Sequence, residues 1–318
     1  MSPRAALQSP VALFYLALAI ALLSAAGLLL AFLRWALCKH VEQAWQSYRG
    51  WLIMVPLIAA AMFVGRETTI FFFTGVMLLG FGEFARATGL DVDRGLTGGV
   101  CLGILAAGVA ALLPDPSGTA PGWYGLFMVL PVFVTAGLLS IPVLQNRAEG
   151  QLRAVSLALL GFVYFGWMGG HVAFLADATY AYAYLGYLLL AVGLNDVAAY
   201  LTGKLCGQHA LRSNISPKKT WEGALGALAV SLALPWALWF TFPHFAPEDL
   251  LAIGAIVGVG GQLGDLAVSV IKRDLGIKDM GATIPGHGGI LDRIDSLIYV
   301  APLFFHYVRF RHDLNPPP

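Results

Sequence analysis

Asp249 to Arg273 reads DLLAIGAIVGVGGQLGDLAVSVIKR: an apolar and small-residue run from 249 to 271, broken by Asp265 and closed by Lys272 and Arg273. A helix needs roughly 20 mostly apolar residues to cross a bilayer, and this run supplies them. Working outward, runs of the same kind lie at about 11–33, 95–113, 123–144, 154–175, 180–201, 223–243 and 294–310. Two shorter runs, 51–65 and 69–85, predict a tight hairpin. The whole chain of 318 residues is 58% hydrophobic and 12% charged, against roughly 25% charged in a soluble domain. The predicted fold is therefore all-α, a polytopic integral membrane bundle of about nine to ten transmembrane helices, with ten counted here.

The run at 11–33 follows a single Arg4 and lacks a small-residue cleavage site opening onto a polar mature start, so it is expected to be an anchor. Cys38, Cys101 and Cys206 are scattered and in no metal spacing, which predicts packing residues rather than disulfides or thiolate ligands. No fixed-period repeat or compositional linker divides the chain. One membrane domain, 1–318, is expected, with helices lacking a recognised motif over 1–190 and the polar chemistry over 191–318.

Basic residues orient the bundle. With ten spans, the loops after odd-numbered spans carry fifteen of the nineteen Lys and Arg residues, and only Arg4, Arg66, Arg309 and Arg311 fall on the other side. The positive-inside rule makes the odd loops cytoplasmic and both termini external. The stretch Cys38 to Arg49, mixing Trp45 and Tyr48 with charges, is expected in the headgroup layer.

Five acids then converge on one boundary: Asp196, Glu222, Asp265, Asp292 and Asp295, from four helices. Ionised groups inside hydrocarbon are costly, so such acids are usually paired or functional. Asp265, Ser269 and Lys272 fall at i, i+4 and i+7 on one stripe, and Asp292 and Asp295 at i and i+3. In GHGGILDRID, Gly286 to Asp295, glycines 288 and 289 permit positive φ and close approach of N–H groups, and a helix starting near Ile290 is expected to aim its N-terminus at a phosphate. The acid-free loop from Gly203 to Thr220 holds Lys204, Arg212, Lys218 and Lys219; Ser216 before Pro217 has the form of a helix cap and predicts Lys219 and Thr220 at a helix start.

Oxygen ligands without Cys or His pairs suit a hard cation such as Mg²⁺, and the surplus of bases suits phosphate. No Ser-His-Asp triad or P-loop lysine motif is present. His287 stands alone, as fit for a structural hydrogen bond as for catalysis.

Three blocks carry a resemblance. SVIKRDLGIKDMGATIPGHGGILDRIDS, Ser269 to Ser296, resembles the signature of the phosphatidate cytidylyltransferases, or CDP-diacylglycerol synthases, and NDVAAYLTGKLCG and ISPKKTWEG upstream resemble two further blocks of that family in the same order. The resemblance covers about Asn195 to Leu297. It implies an enzyme that takes CTP and phosphatidic acid to CDP-diacylglycerol and pyrophosphate in phospholipid biosynthesis, with Mg²⁺ and a second cation left open. It implies metal-binding acids at Asp265 and Asp292, and catalytic roles for these with Lys272, Arg273, Lys278, His287 and Arg293. Substrate binding is implied for Asp196, Ser216, Lys219, Thr220, Glu222, Asp279, Gly288, Gly289 and Asp295. Membrane lipid and a second copy of the chain, in a homodimer, are the partners implied; nucleic acid is not. The expected location is a bacterial inner membrane with the site facing the cytoplasm.

Two alternatives stay open on the residues alone. One is a CTP-dependent lipid kinase, or a cytidylyltransferase for another lipid phosphate. The other is an ion-coupled transporter, which predicts acids near the midplane and repeated halves.

Overall fold

A bilayer core offers no hydrogen-bonding partner, so the apolar runs must satisfy their own backbone and become helices. The computed structural model describes residues 1–36, 41–118, 120–281, 288–312 and 314, apart from the side chain of Gln43. A short α1 (Pro3–Gln8) precedes α2 (Pro10–Trp35), and Ser2 and Ser9 cap these two helices. Next come α3 (Glu42–Val64) and α4 (Arg66–Thr88), hinged on Gly65 alone at φ +146°, which is the tight hairpin expected. Trp45 and Tyr48 belong to the opening turns of α3, and Cys38 lies outside the described residues.

Then follow α5 (Arg94–Leu112) and α6 (Tyr124–Leu144). The sixth crossing is composite: α7 (Gln151–Gly161), a π-helical segment Phe162–Met168, and α8 (Gly169–Leu175). After α9 (Ala181–Cys206), a small antiparallel hairpin of β1 (Ala210–Arg212) and β2 (Ser216–Thr220) leads into α10 (Trp221–Ala237), α11 (Pro247–Asp274) and α12 (Leu291–Arg311). Eight of these helical segments are long and apolar enough to cross a membrane. Of the ten helices expected, α10 with 17 residues and α12 with charges in its first and last turns fall outside that eight, and both pack with α9 and α11.

Contacts between loops show the passes alternating. At one end Arg66 bonds Asp177 and the carbonyls of Ala111 and Pro121, Thr179 bonds Leu314, and His312 pairs with Asp249. At the other end Arg147 pairs with Asp93, and Glu83 meets the start of α12. The site segments 207–220, 275–281 and 288–290 lie at this second end.

Close approach makes the packing of α9 to α12 tight. A Cβ on Gly254 of α11 would sit 2.7 Å from the carbonyl of Ser231 in α10, and one on Gly264 would sit 2.9 Å from the Cα of Ser296 in α12. Small residues let membrane helices approach this way, and hydrogen bonds between them add roughly 0.6–2 kcal/mol each. Asn195 supplies one such bond to Ser231 at 3.0 Å, and Ser296 another to Gly261 at 2.9 Å.

Two local expectations are corrected. Ser216 and Pro217 do not cap a helix: they lie in β2, and Thr220 is the N-cap of α10, its hydroxyl accepting from Gly223 N at 3.1 Å. The proline is accommodated because the two-stranded ribbon consists only of edges. Cys101 is half-buried against the core as expected, but Cys206 ends α9 exposed and packs nothing away from solvent.

Candidate active site

Asp265 lies in α11 with Ser269 one turn below, whose hydroxyl reaches it at 3.4 Å. Lys219, the penultimate residue of β2, crosses to Asp265 Oδ2 at 2.6 Å and to Gln262 Oε1 at 3.0 Å. Gln262 in turn donates to Asn195 Oδ1 at 2.7 Å. A relay of buried amides thus fixes where the lysine ends, tying α9, the hairpin and α11 to one point. The hairpin delivers Lys219 because Thr220 stops the strand by capping α10.

A second acid–lysine pair forms two turns along. Lys272 Nζ lies 2.8 Å from Asp292 Oδ1, with both side chains close to buried, and the other carboxylate oxygen accepts from Met280 N at 3.0 Å and Gly289 N at 3.1 Å. Asp292 therefore closes the connection between α11 and α12 on itself. Gly288 sits at φ +79°, a conformation that needs glycine at that turn.

Glu83 was not anticipated. It is 1% exposed in α4, and its two oxygens accept from Ile290 N at 3.0 Å and Leu291 N at 2.9 Å. A Cβ on Gly281 would lie 2.6 Å from Glu83 Oε1, and one on Gly289 would collide with its other oxygen. The signal was present in the sequence, since FGEFAR puts an acid inside the apolar run 69–85, but no second acid or glycine-rich loop stood beside it. This corrects the expected phosphate cradle at the start of α12. The N–H groups of Gly289, Ile290 and Leu291 are already taken by Asp292 and Glu83, because a carboxylate is the natural occupant of a positive helix end.

The remaining acids gather around these pairs. Asp196 lies within electrostatic reach of Asp265, Lys219 and Arg293, and the buried Asp295 within reach of Asp265, Asp196 and Lys272. Arg293, exposed on α12, faces Asp292, Asp295, Asp196 and Asp279, and Asp279 borders Gly288. Tyr164, on the π-helical segment, donates to the carbonyl of Asp295 at 3.0 Å. Other expected residues point elsewhere. Glu222 accepts from His209 Nδ1 at 2.6 Å and from two backbone N–H groups, bracing the hairpin. Arg273 donates to the carbonyls of Ile215 and Ile277, Lys278 is exposed, and Ser216 pairs in register with Arg212. His287 lies outside the described residues.

Among the described residues no three acids, histidines or cysteines come together to hold an ion by themselves. Mg²⁺ is usually held by one or two carboxylates plus substrate phosphates, not by an all-protein cage. The chemistry of Asp265 and Asp292 is compatible with that mode: each offers oxygen ligands only, and each pairs with a cation, the ammonium of Lys219 or Lys272.

Two acid–lysine pairs thus stand at one end of the bundle. Residues 45–311 match the Cytidylyltransferase family, and the chain belongs to that family of nucleotidyltransferases. An uncharacterized protein, YnbB, of Escherichia coli (strain K12) is 31% identical over 305 residues, 93% of this chain and 97% of its own length. The phosphatidate cytidylyltransferase of Staphylococcus haemolyticus (strain JCSC1435) is 43% identical over 169 residues, 52% of this chain and 63% of that one. That of Staphylococcus aureus (strain COL) is 42% identical over 160 residues, 50% and 60% of the two chains.

Proposed function

We propose that this chain is a phosphatidate cytidylyltransferase, transferring CMP from CTP to phosphatidic acid with release of pyrophosphate. The observation that carries this reading is the double pair Asp265–Lys219 and Asp292–Lys272, at the end of the bundle where Arg293 also stands. A phosphate monoester has its second pKa near 6 and is largely dianionic at neutral pH, so its oxygen attacks the α-phosphorus of CTP without a general base. The bond from the α-phosphorus to the bridging oxygen breaks, and pyrophosphate leaves with that oxygen. The obstacle is repulsion between two anions, which is a matter of positioning and charge.

Lys219 and Lys272 neutralise the two acids in this structure and are placed to turn to phosphate oxygens when substrates arrive. Mg²⁺, held by Asp265 and Asp292 together with those oxygens, would disperse the charge of the transferring group. Arg293, exposed among four acids, offers a planar fork to the same oxygens. The excess of Lys and Arg on the loops at this end supports a cytoplasm-facing site in a bacterial inner membrane, and a homodimer is the assembly implied by the resemblance.

The test uses purified protein, phosphatidic acid, Mg²⁺ and CTP labelled at either end. Label from the α-phosphate entering the lipid supports the proposal. Label from the γ-phosphate entering it would make the protein a lipid kinase, and neither label entering would remove phosphatidic acid as the acceptor.

A further inference from the structure

Beneath the polar site lies a cavity of about 150 Å³, lined without polar surface by residues including Phe84, Leu160, Tyr164, Val268, Ile271 and Leu291. Four lining residues are the immediate chain neighbours of site residues: Phe84 follows Glu83, Val268 precedes Ser269, Ile271 precedes Lys272, and Leu291 precedes Asp292. Polar site and apolar cavity are thus neighbouring faces of the same helical turns. Two tyrosines, Tyr164 and Tyr299, line it, and the hydroxyl of Tyr164 is turned away to the carbonyl of Asp295. Its rim includes Leu160, 42% exposed, and Ala267, also exposed, both on the outer surface of the bundle. Closed apolar cavities of about this size take an apolar guest as large as benzene, and this one is open on one side to the outer surface.

We propose that this cavity binds the glycerol-proximal part of one acyl chain of the lipid substrate, entering between Leu160 and Ala267 while the phosphate lies at Lys272 and Arg293. The occupant is an amphiphile because the place suits one: the pocket adjoins Lys272 and Arg293, which match an anionic end, and its walls match hydrocarbon. The inference rests on the reading of the acceptor as a lipid phosphate. It adds where that lipid is gripped, which makes Leu160, Ala267 and Ile271 determinants of affinity for the lipid and not for the nucleotide.

The experiment places the full chain in phosphatidylcholine nanodiscs with a phosphatidic acid carrying a photoreactive diazirine near the glycerol end of its chain. Crosslinks are expected on peptides containing residues 160–168 and 267–271, suppressed by excess dioleoyl phosphatidic acid and not by added phosphatidylcholine. Ala267→Phe, which fills the lipid-facing mouth, should reduce this labelling and raise KM for phosphatidic acid by about tenfold or more, since even a single misfitting methylene in an apolar pocket is worth about that factor. KM for CTP should stay unchanged. Crosslinks suppressed equally by phosphatidylcholine would mean bulk lipid only and overturn the proposal, as would Ala267→Phe leaving both labelling and KM as they were. Labelling needs no turnover, so the two readings fail separately. A protein labelled in the cavity that transfers no CMP keeps the cavity and loses the reaction, and one that transfers CMP with labelling elsewhere does the reverse.

Discussion

Glu83 and Leu291 are 208 residues apart in sequence and joined by a hydrogen bond of 2.9 Å, carboxylate to backbone N–H, at the buried start of α12. With Ile290 N on the other oxygen, this acid fixes the entry of α12 against α4. Hydrogen bonds to a charged group contribute about 1.5–3 kcal/mol each, and glutamine offers only one acceptor where two are used. Glu83→Gln is expected to speed hydrogen exchange at residues 289–291 and to lower turnover by about tenfold or more. Gly281→Ala, whose Cβ would press on the same carboxylate, should do likewise. Exchange rates unchanged in both variants would remove Glu83 from the support of this loop.

Asp265→Asn and Asp292→Asn should separate two duties. Both lose a charge that pairs with a lysine, so both should lower turnover by about two orders of magnitude at ordinary Mg²⁺. Only Asp292→Asn should also loosen the connection between α11 and α12, since Asp292 alone accepts from Met280 N and Gly289 N. Turnover close to normal in either variant, measured across a Mg²⁺ titration, would take that acid out of the metal's shell.

Lys219→Ala removes a positive charge that the Gln262–Asn195 relay holds in place. The expected result is a weaker response to CTP at saturating phosphatidic acid, only partly restored by Lys219→Arg, because a planar fork does not replace a compact ammonium. A lysine that merely attracts anionic lipid contributes about 1 kcal/mol of membrane affinity and no dependence on CTP, so an unaltered CTP titration would reduce Lys219 to that role.

Sidedness is predicted from the excess of Lys and Arg on the loops at the site end. In a variant freed of its native cysteines, including the exposed Cys206 at the site end, single cysteines near Pro217 and near Gly288 should be protected from an impermeant thiol reagent added to intact cells. One near Ala246 should react. Labelling of the first two would place the site outside the cytoplasm.

At the opposite end, burial and the nearby His312 lower the pKa of His244 from 6.5 to about 4, with Asp249 acting the other way. Its ring stacks on Tyr180 at 3.9 Å and meets the hydroxyl of Tyr184 at 2.6 Å. Between pH 6.5 and 4 the unfolded chain binds a proton that the folded chain refuses, so stability falls as pH falls through this window. His244→Gln should flatten that dependence in thermal melts in detergent. An identical slope in wild type and variant would show that other groups set it.

Hydropathy runs were enough to reveal the helices, because in lipid an apolar stretch of sufficient length has no other way to satisfy its backbone. The long apolar helices, eight of them able to cross a membrane by length and composition, the hairpin at Gly65 and the start of α12 near Ile290 all followed from local composition and turn chemistry. So did the gathering of Asp196, Asp265, Asp292 and Asp295 at one end, since counting crossings assigns an end to every loop. Partner choice did not follow. A helix that is apolar all round carries no stripe to say which way it faces, so its rotation is set by the neighbours it packs against. Only the assembled bundle could direct Lys219 to Asp265 and Lys272 to Asp292, turn Glu222 aside to His209, and bring Glu83 from the third crossing to the N–H groups that had been expected to receive a phosphate.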